Sequence, residues 1–126
     1  MKNSGMSPIF VVQEHWASHH HFDFRLEMDG VLKSWAIPKE IPVERGVRRL
    51  AIQVEDHALE YADFEGVIPE GEYGAGKVLI WDKGTYELVE KSESKIRFKL
   101  LGRKLKGTYQ LIKFKGGNQW LLMKTE

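Results

Sequence analysis

The sequence contains no cysteine, which excludes disulfide bonds and thiolate metal sites together and fits a cytoplasmic protein. It also lacks any apolar run near the roughly 20 residues of a membrane helix. No N-terminal stretch resembles a signal peptide, so no membrane partner is expected. Internal repeats, low-complexity tracts and an interdomain linker are missing as well. A chain of 126 residues suits one domain with a real hydrophobic core, taken as residues 1–126 with a flexible N-terminus over residues 1–8. Charge is missing by sign rather than in total. Between Leu50 and Gly76 there is no lysine or arginine, while Glu55, Asp56, Glu60, Asp63, Glu65, Glu70 and Glu72 are acidic. Between Lys95 and Lys115 the reverse holds: eight basic residues and no acid. Such a basic stretch can attract a phosphate backbone through counterion release, although a solvated face of lysine-bearing strands accounts for it more simply.

What is present is an alternation of period two. In His21-Phe22-Asp23-Phe24-Arg25-Leu26-Glu27 the even positions are apolar and the odd ones ionisable. The same pattern predicts a strand over Leu50–Glu55 with Leu50, Ile52 and Val54 inward, and another over Lys95–Leu101. Ile9–Gln13, Leu32–Ile37, Lys77–Trp81, Thr85–Val89, Thr108–Phe114 and Gln119–Lys124 complete roughly nine short strands. Asp29-Gly30 and Asp82-Lys83-Gly84 read as hairpin turns, and Gly102 and Gly116-Gly117 punctuate the C-terminal half. Glu40–Arg49 reads as a connection with room for a helical turn, and His57–Phe64 as one short helical turn. The expected fold is all-β: a compact β-barrel of mostly antiparallel strands with one short helical segment.

The chemistry concentrates between His15 and Arg25. Alternation puts His21, Asp23 and Arg25 on one face, about 7 Å between successive positions, with Phe22, Phe24 and Leu26 anchoring the other. His15 lies six residues before His21, far enough for a loop to return it to the same face. Two imidazoles and a carboxylate suit a divalent transition metal with positions left for water or substrate. Arg25 could hold a phosphate oxygen beside it, since metal and arginine both stabilise charge developing on phosphoryl oxygens. A solvent-facing strand with scattered polar groups is the plainer reading. His57, just past the strand that ends at Glu55, could act as phosphate ligand or general acid, or be an ordinary loop histidine. Tyr61 could equally be a core aromatic with a hydroxyl at the surface. Gly71-Glu72-Tyr73-Gly74-Ala75-Gly76 is not a dinucleotide fingerprint, because a strand follows it rather than a helix, so its glycines are expected in tight turns or close packing inside a barrel. His19 and His20 are expected to be bystanders, His20 because it shares the face of Phe22, with His19 the readier exception.

In order along the chain, several blocks resemble the 3′-phosphoesterase domain of the DNA ligase D family. They are Val12-Gln13-Glu14-His15, His21–Glu27, Leu32-Lys33-Ser34-Trp35-Ala36-Ile37-Pro38-Lys39, Arg49–His57, Tyr61–Gly66, Ile68–Gly76 and Trp81-Asp82-Lys83-Gly84-Thr85. The resemblance implies a β-barrel and manganese-dependent healing of 3′ ends, with Zn2+ or Co2+ as alternative metals. A terminal ribonucleotide is removed to leave a 3′-phosphate, then the phosphate to leave a 3′-hydroxyl. It implies His15, His21 and Asp23 as metal ligands, Arg25 and His57 on the scissile phosphate, and Lys39, Arg49 and Tyr61 as further residues needed for activity, the first two through phosphate or strand contact. Gln13 would support them. The implied partners are nucleic acid 3′ ends, primer-template DNA or a DNA/RNA hybrid, with a separate DNA ligase and polymerase. Fused members of the family usually carry a further segment before the first strand, with acidic residues that assist activity. This sequence reaches Ile9–Gln13 almost at once, so the phosphodiesterase step is expected to be the weaker.

Two other classes are set against this. A cupin-like metalloenzyme would need a histidine on a C-terminal strand, and none follows His57. A non-catalytic module that binds nucleic acid ends would use the Lys95–Lys115 tract and exposed aromatics, but leaves the His/Asp/Arg face without a purpose.

Overall fold

The structure, a computed structural model, describes residues 7–126. Nine strands are present among them: β1 (Ile9–Trp16), β2 (His20–Met28), β3 (Val31–Ile37), β4 (Arg48–His57), β5 (Gly66–Ile68), β6 (Gly76–Lys91), β7 (Lys95–Leu101), β8 (Lys106–Lys113) and β9 (Gln119–Lys124). A single 3-10 turn, Leu59–Asp63, lies between β4 and β5. All strand pairs are antiparallel in the order β1-β2-β3-β4-β9-β8-β7-β6, and β6 returns to β1 to close an eight-stranded barrel. β5 pairs only with the start of β6. The all-β barrel expected from the sequence is the fold observed, with the short helical segment where His57–Phe64 placed it. No helix among the described residues is long and apolar enough to cross a membrane.

The barrel interior is filled by the even positions of β2, Phe22, Phe24 and Leu26, together with Trp35 on the neighbouring β3 and Phe98, Tyr109 and Trp120 from β7, β8 and β9. Phe24 and Phe98 stand 5.7 Å apart, and Trp35 meets Trp120 edge-on at 5.9 Å. Each such buried aromatic contributes about 1.5–3 kcal/mol through removal from water. A second, smaller apolar layer lies outside the barrel, where Val11 and Leu32 take up Ala62, Leu59 and Tyr61 of the 3-10 turn. This layer holds residues 58–75 as a flap against the outer wall of β1–β3. Glu65 adds to it by accepting the Ile80 backbone N–H (2.7 Å), and Lys83 pairs with Asp63.

Two local geometries require residues at positive φ. The β2–β3 hairpin turns on Asp29 and Gly30, both at positive φ (57° and 81°), the combination that a two-residue turn between twisted strands demands. Where the flap rejoins the barrel, Gly76 has φ 128°, and a Cβ there would run into the Trp16 carbonyl. Only glycine lets β6 begin so close to the end of β1.

Three expectations need correction. β4 turns its other face inward: Ala51 is fully buried and Gln53 accepts from the Trp120 indole (3.2 Å), whereas Leu50 is exposed and Val54 lines an outer cavity. The lumen beside β4 is already filled by Trp35 and Trp120, so a small residue fits where Leu50 was expected. Asp82-Lys83-Gly84 is not a turn. Lys77–Trp81 and Thr85–Val89 are one continuous strand, because the buried Asp82 carboxylate accepts the N–H groups of Arg103, Lys104 and Leu105 and Gly84 lies against the Leu101 carbonyl. The ninth strand is instead β5, three residues long. Residues 40–47 form no helical turn; Arg45 bridges in parallel to Lys124. The expected flexible N-terminus falls mostly on residues 1–6, outside the described residues, while the Pro8 carbonyl accepts from the Tyr86 N–H (3.0 Å).

Candidate metal and phosphate site

β1 and β2 pair in a register that sets His15 opposite His21, Gln13 opposite Asp23 and Val11 opposite Arg25. His15 therefore reaches the shared face from a paired strand, through a hairpin, rather than from a loop. Side chains at these positions leave the barrel on its outer wall, beneath the flap. They open into a cavity of about 650 Å³ whose lining includes His15, His21, Asp23, Arg25, His57 and Tyr61.

His15, His21 and Asp23 each offer a donor atom within 4.8 Å of the others. A carbonyl oxygen only accepts, which assigns the imidazole protons. His15 donates from Nε2 to the Gly74 carbonyl (2.8 Å), and His21 donates from Nδ1 to the His19 carbonyl (2.9 Å). The remaining ring nitrogens, His15 Nδ1 and His21 Nε2, face the Asp23 carboxylate at 3.5 and 3.3 Å. Lone pairs from three groups thus converge on one point, where a cation relieves their repulsion. Fixing the distal nitrogen of a ligand histidine by a backbone carbonyl is the usual outer support of such a site. Without a metal, a proton serves: the hydrogen bond to Asp23 raises the His21 pKa against the opposing effect of burial. Burial alone would raise Asp23 too, but the hydrogen bond from His21 and the charge of Arg25 hold it below the ordinary carboxylate range. The donor set fits a divalent transition metal.

Beside it, the buried Arg25 guanidinium is held on several sides. Nε donates to Gln13 Oε1 (2.7 Å), Nη1 donates to Ser34 Oγ (2.8 Å), and Nη2 lies 3.5 Å from Asp23. Its Cζ sits 4.9 Å above the Tyr61 ring. Burial lowers the Arg25 pKa, with Asp23 pulling the other way; an arginine stays charged nonetheless. Gln13 is fully buried, and its amide donates to the Tyr61 and Phe64 carbonyls (2.9 and 3.2 Å), so one side chain ties Arg25 to the flap.

His57 reaches the same pocket through a bulge. β3 pairs Ser34 with Val54 but Leu32 with His57, so one extra residue of β4 turns His57, rather than Asp56, toward Arg25. His57 Nδ1 is 3.2 Å from both Arg25 Nη1 and the Glu55 carbonyl; it accepts from the first or donates to the second, as the tautomer dictates. Burial, then Arg25, lowers its pKa, and its ring packs on Tyr61 at 4.8 Å.

Of the residues singled out in the sequence, His15, His21, Asp23, Arg25, His57 and Tyr61 meet in the cavity and Gln13 stands directly behind Arg25. Lys39 and Arg49 do not line it. Lys39 is exposed beyond β3, and Arg49 donates from Nε to the Glu40 carbonyl (2.9 Å). His20 is turned away, against Glu14 (2.7 Å) and Trp16, as expected of a bystander, whereas His19 contributes its carbonyl. Ser34 was missed; as a small polar residue between Lys33 and Trp35 it gave no distinct signal. The glycines of residues 71–76 serve turns and close packing, but on the outer wall, with Gly74 holding His15.

Gln13→Ala leaves Arg25 Nε and two flap carbonyls without their partner. It is expected to cost about 1–3 kcal/mol of stability and about 10- to 100-fold in divalent-metal affinity, by loosening the support of the site. Urea unfolding and a metal-binding titration on the same protein check both.

A fixed guanidinium next to a cation-ready donor set suits a tetrahedral oxyanion. Fold and pocket together define a small β-barrel that carries a cation-ready donor set and a fixed guanidinium on its outer wall. Residues 13–113 match the family described as the DNA ligase D 3′-phosphoesterase domain, and the chain belongs to that family. It is 51% identical over 122 residues to the multifunctional non-homologous end joining DNA repair protein LigD of Mycobacterium tuberculosis, covering 94% of this chain and 16% of that protein. The corresponding proteins of Pseudomonas aeruginosa and Mycolicibacterium smegmatis are 50% and 46% identical, over 93% and 94% of this chain and 15% and 17% of theirs. The chain thus spans about one sixth of the length of these curated relatives.

Proposed function

We propose that this chain is a manganese-dependent phosphoesterase that heals the 3′ ends of nucleic acid strands in DNA repair. The observation that carries the reading is the convergence of His15 Nδ1, His21 Nε2 and the Asp23 carboxylate beside the buried Arg25. Family membership supports the reaction class, and the end-joining relatives support the setting. A DNA ligase and a polymerase would use the healed end.

His15, His21 and Asp23 would hold the metal, which when bound withdraws charge from a phosphoryl oxygen. Arg25 presents its remaining guanidinium edge to a second oxygen, already oriented by Gln13, Ser34 and Tyr61, so little reorganisation accompanies charge development. His57 is suited to clamp the phosphate as a neutral imidazole, since burial and Arg25 keep it from storing a proton near neutral pH. Tyr61 keeps Arg25 and His57 at their spacing by packing on both. In the diester step water adds to phosphorus and the bond to the terminal ribonucleoside O5′ breaks, leaving a 3′-phosphate. In the monoester step water again adds, the bond to O3′ breaks, and a 3′-hydroxyl and inorganic phosphate result. Lys39 and Arg49, outside the cavity, would touch the strand leading to the end.

The test is a duplex whose labelled primer ends in one ribonucleotide, incubated with manganese or with chelator. Shortening to a 3′-phosphate and then a 3′-hydroxyl, with metal only, is the expected result. Conversion of a ready-made 3′-phosphate alone would restrict the activity to the second step. Conversion of neither end would overturn the enzyme reading.

A further inference from the structure

The flap carries a side chain that the proposed chemistry leaves without a task. Tyr73 is 83% exposed, yet it belongs to the wall of the cavity that holds His21, Asp23 and Arg25. Among the described residues it makes no aromatic, cation–π or hydrogen-bond contact. Its backbone is nonetheless well fixed. The Pro69 carbonyl accepts from the Glu72 N–H (3.2 Å) and the Glu72 carbonyl from the Ala75 N–H (3.1 Å). Gly71 and Gly74 take positive φ (90° and 77°), and the Gly74 carbonyl accepts from His15. A bare aromatic ring is thus presented at the cavity mouth, one residue from a backbone group that orients a metal-ligand histidine.

Charge decides what that ring can receive. Glu70 and Glu72, both exposed, precede Tyr73 on the flap, and no lysine or arginine occurs from residue 50 to 76. A phosphate backbone is repelled by this side of the cavity and drawn to Arg25 on the other. An uncharged, flat group is not repelled, and stacking on an aromatic is how nucleobases are held irrespective of sequence. The cavity, at about 650 Å³, is in the range that encloses a ligand much larger than phosphate. Resting on the proposed function, we infer that Tyr73 is the stacking wall of a nucleobase subsite at the cavity mouth: it stacks the base of the nucleotide that bears the scissile 3′-phosphate, while Glu70 and Glu72 keep the backbone off the flap.

Two oligonucleotides with 3′-phosphates test this, one ending in a normal nucleotide and one in an abasic residue. On the base-bearing end, Tyr73→Ala is expected to raise KM about tenfold or more with a smaller change in kcat, and Tyr73→Phe to restore it. On the abasic end the ratio between wild type and Tyr73→Ala is expected to fall toward one. An equal loss on both ends, or none on either, overturns the subsite. Equilibrium binding of the same oligonucleotides in chelator separates this from a failure of the proposed activity. Even with no turnover, wild type should bind the base-bearing end about tenfold tighter than the abasic one, and Tyr73→Ala should not discriminate; equal binding of both ends by wild type overturns it.

Discussion

His21→Ala is expected to abolish both steps of metal-dependent turnover, a loss of about 10³-fold or more, or about 4 kcal/mol of transition-state stabilisation. His21 supplies one of three donors, and its Nε2 and His15 Nδ1 face opposite oxygens of Asp23. Removing it leaves one imidazole and one carboxylate, too few to hold a divalent ion against water. Manganese binding followed by electron paramagnetic resonance should weaken in parallel, and His15→Ala should behave alike. The fold should survive, because His21 is half-buried on the outer wall and the barrel is filled by the opposite face of β2. Turnover near wild type in His21→Ala would mean that these residues are not the metal site.

Arg25→Lys is expected to lower kcat about 10²- to 10³-fold with metal binding retained. Lysine keeps the charge but not the planar fork. Gln13 Oε1, Ser34 Oγ and the Tyr61 face are arranged around a guanidinium, and one ammonium cannot meet them and a phosphate together. Arg25→Ala should instead show mainly as instability, about 3–5 kcal/mol in urea unfolding, since it strips a buried carboxylate of its charged neighbour. The pair of variants separates catalysis from folding. Unchanged kcat in Arg25→Lys would reduce Arg25 to a counterion for Asp23.

The sharing of one face by His21, Asp23 and Arg25 was legible because alternation along a strand is a local property, unambiguous when three apolar residues occupy the other positions. The same rule gave the wrong face for β4. There the outside is also partly covered, Val54 by the cavity wall, while the inside is narrowed by Trp35 and Trp120, so hydrophobicity did not distinguish the two faces. The supposed turn at Asp82-Lys83-Gly84 failed for a related reason. Those residues serve close packing between strands, through the amides of residues 103–105 and the Leu101 carbonyl, and turn-like composition does not reveal that. β5 was too short to register as a pattern.

By itself the sequence determined an all-β chain, the His21/Asp23/Arg25 face and the resemblance that suggested what the face is for, since these depend on near neighbours or on residue order. Tertiary structure alone decided which atoms meet. His15 became a partner of His21 through strand register; His57 took the place of Asp56 through a one-residue bulge; Gln13, Ser34 and Tyr61 closed on Arg25, and Lys39 and Arg49 stayed outside. Those contacts join strands and a flap far apart along the chain, and only barrel closure, with a second apolar layer outside it, brings them within hydrogen-bonding distance.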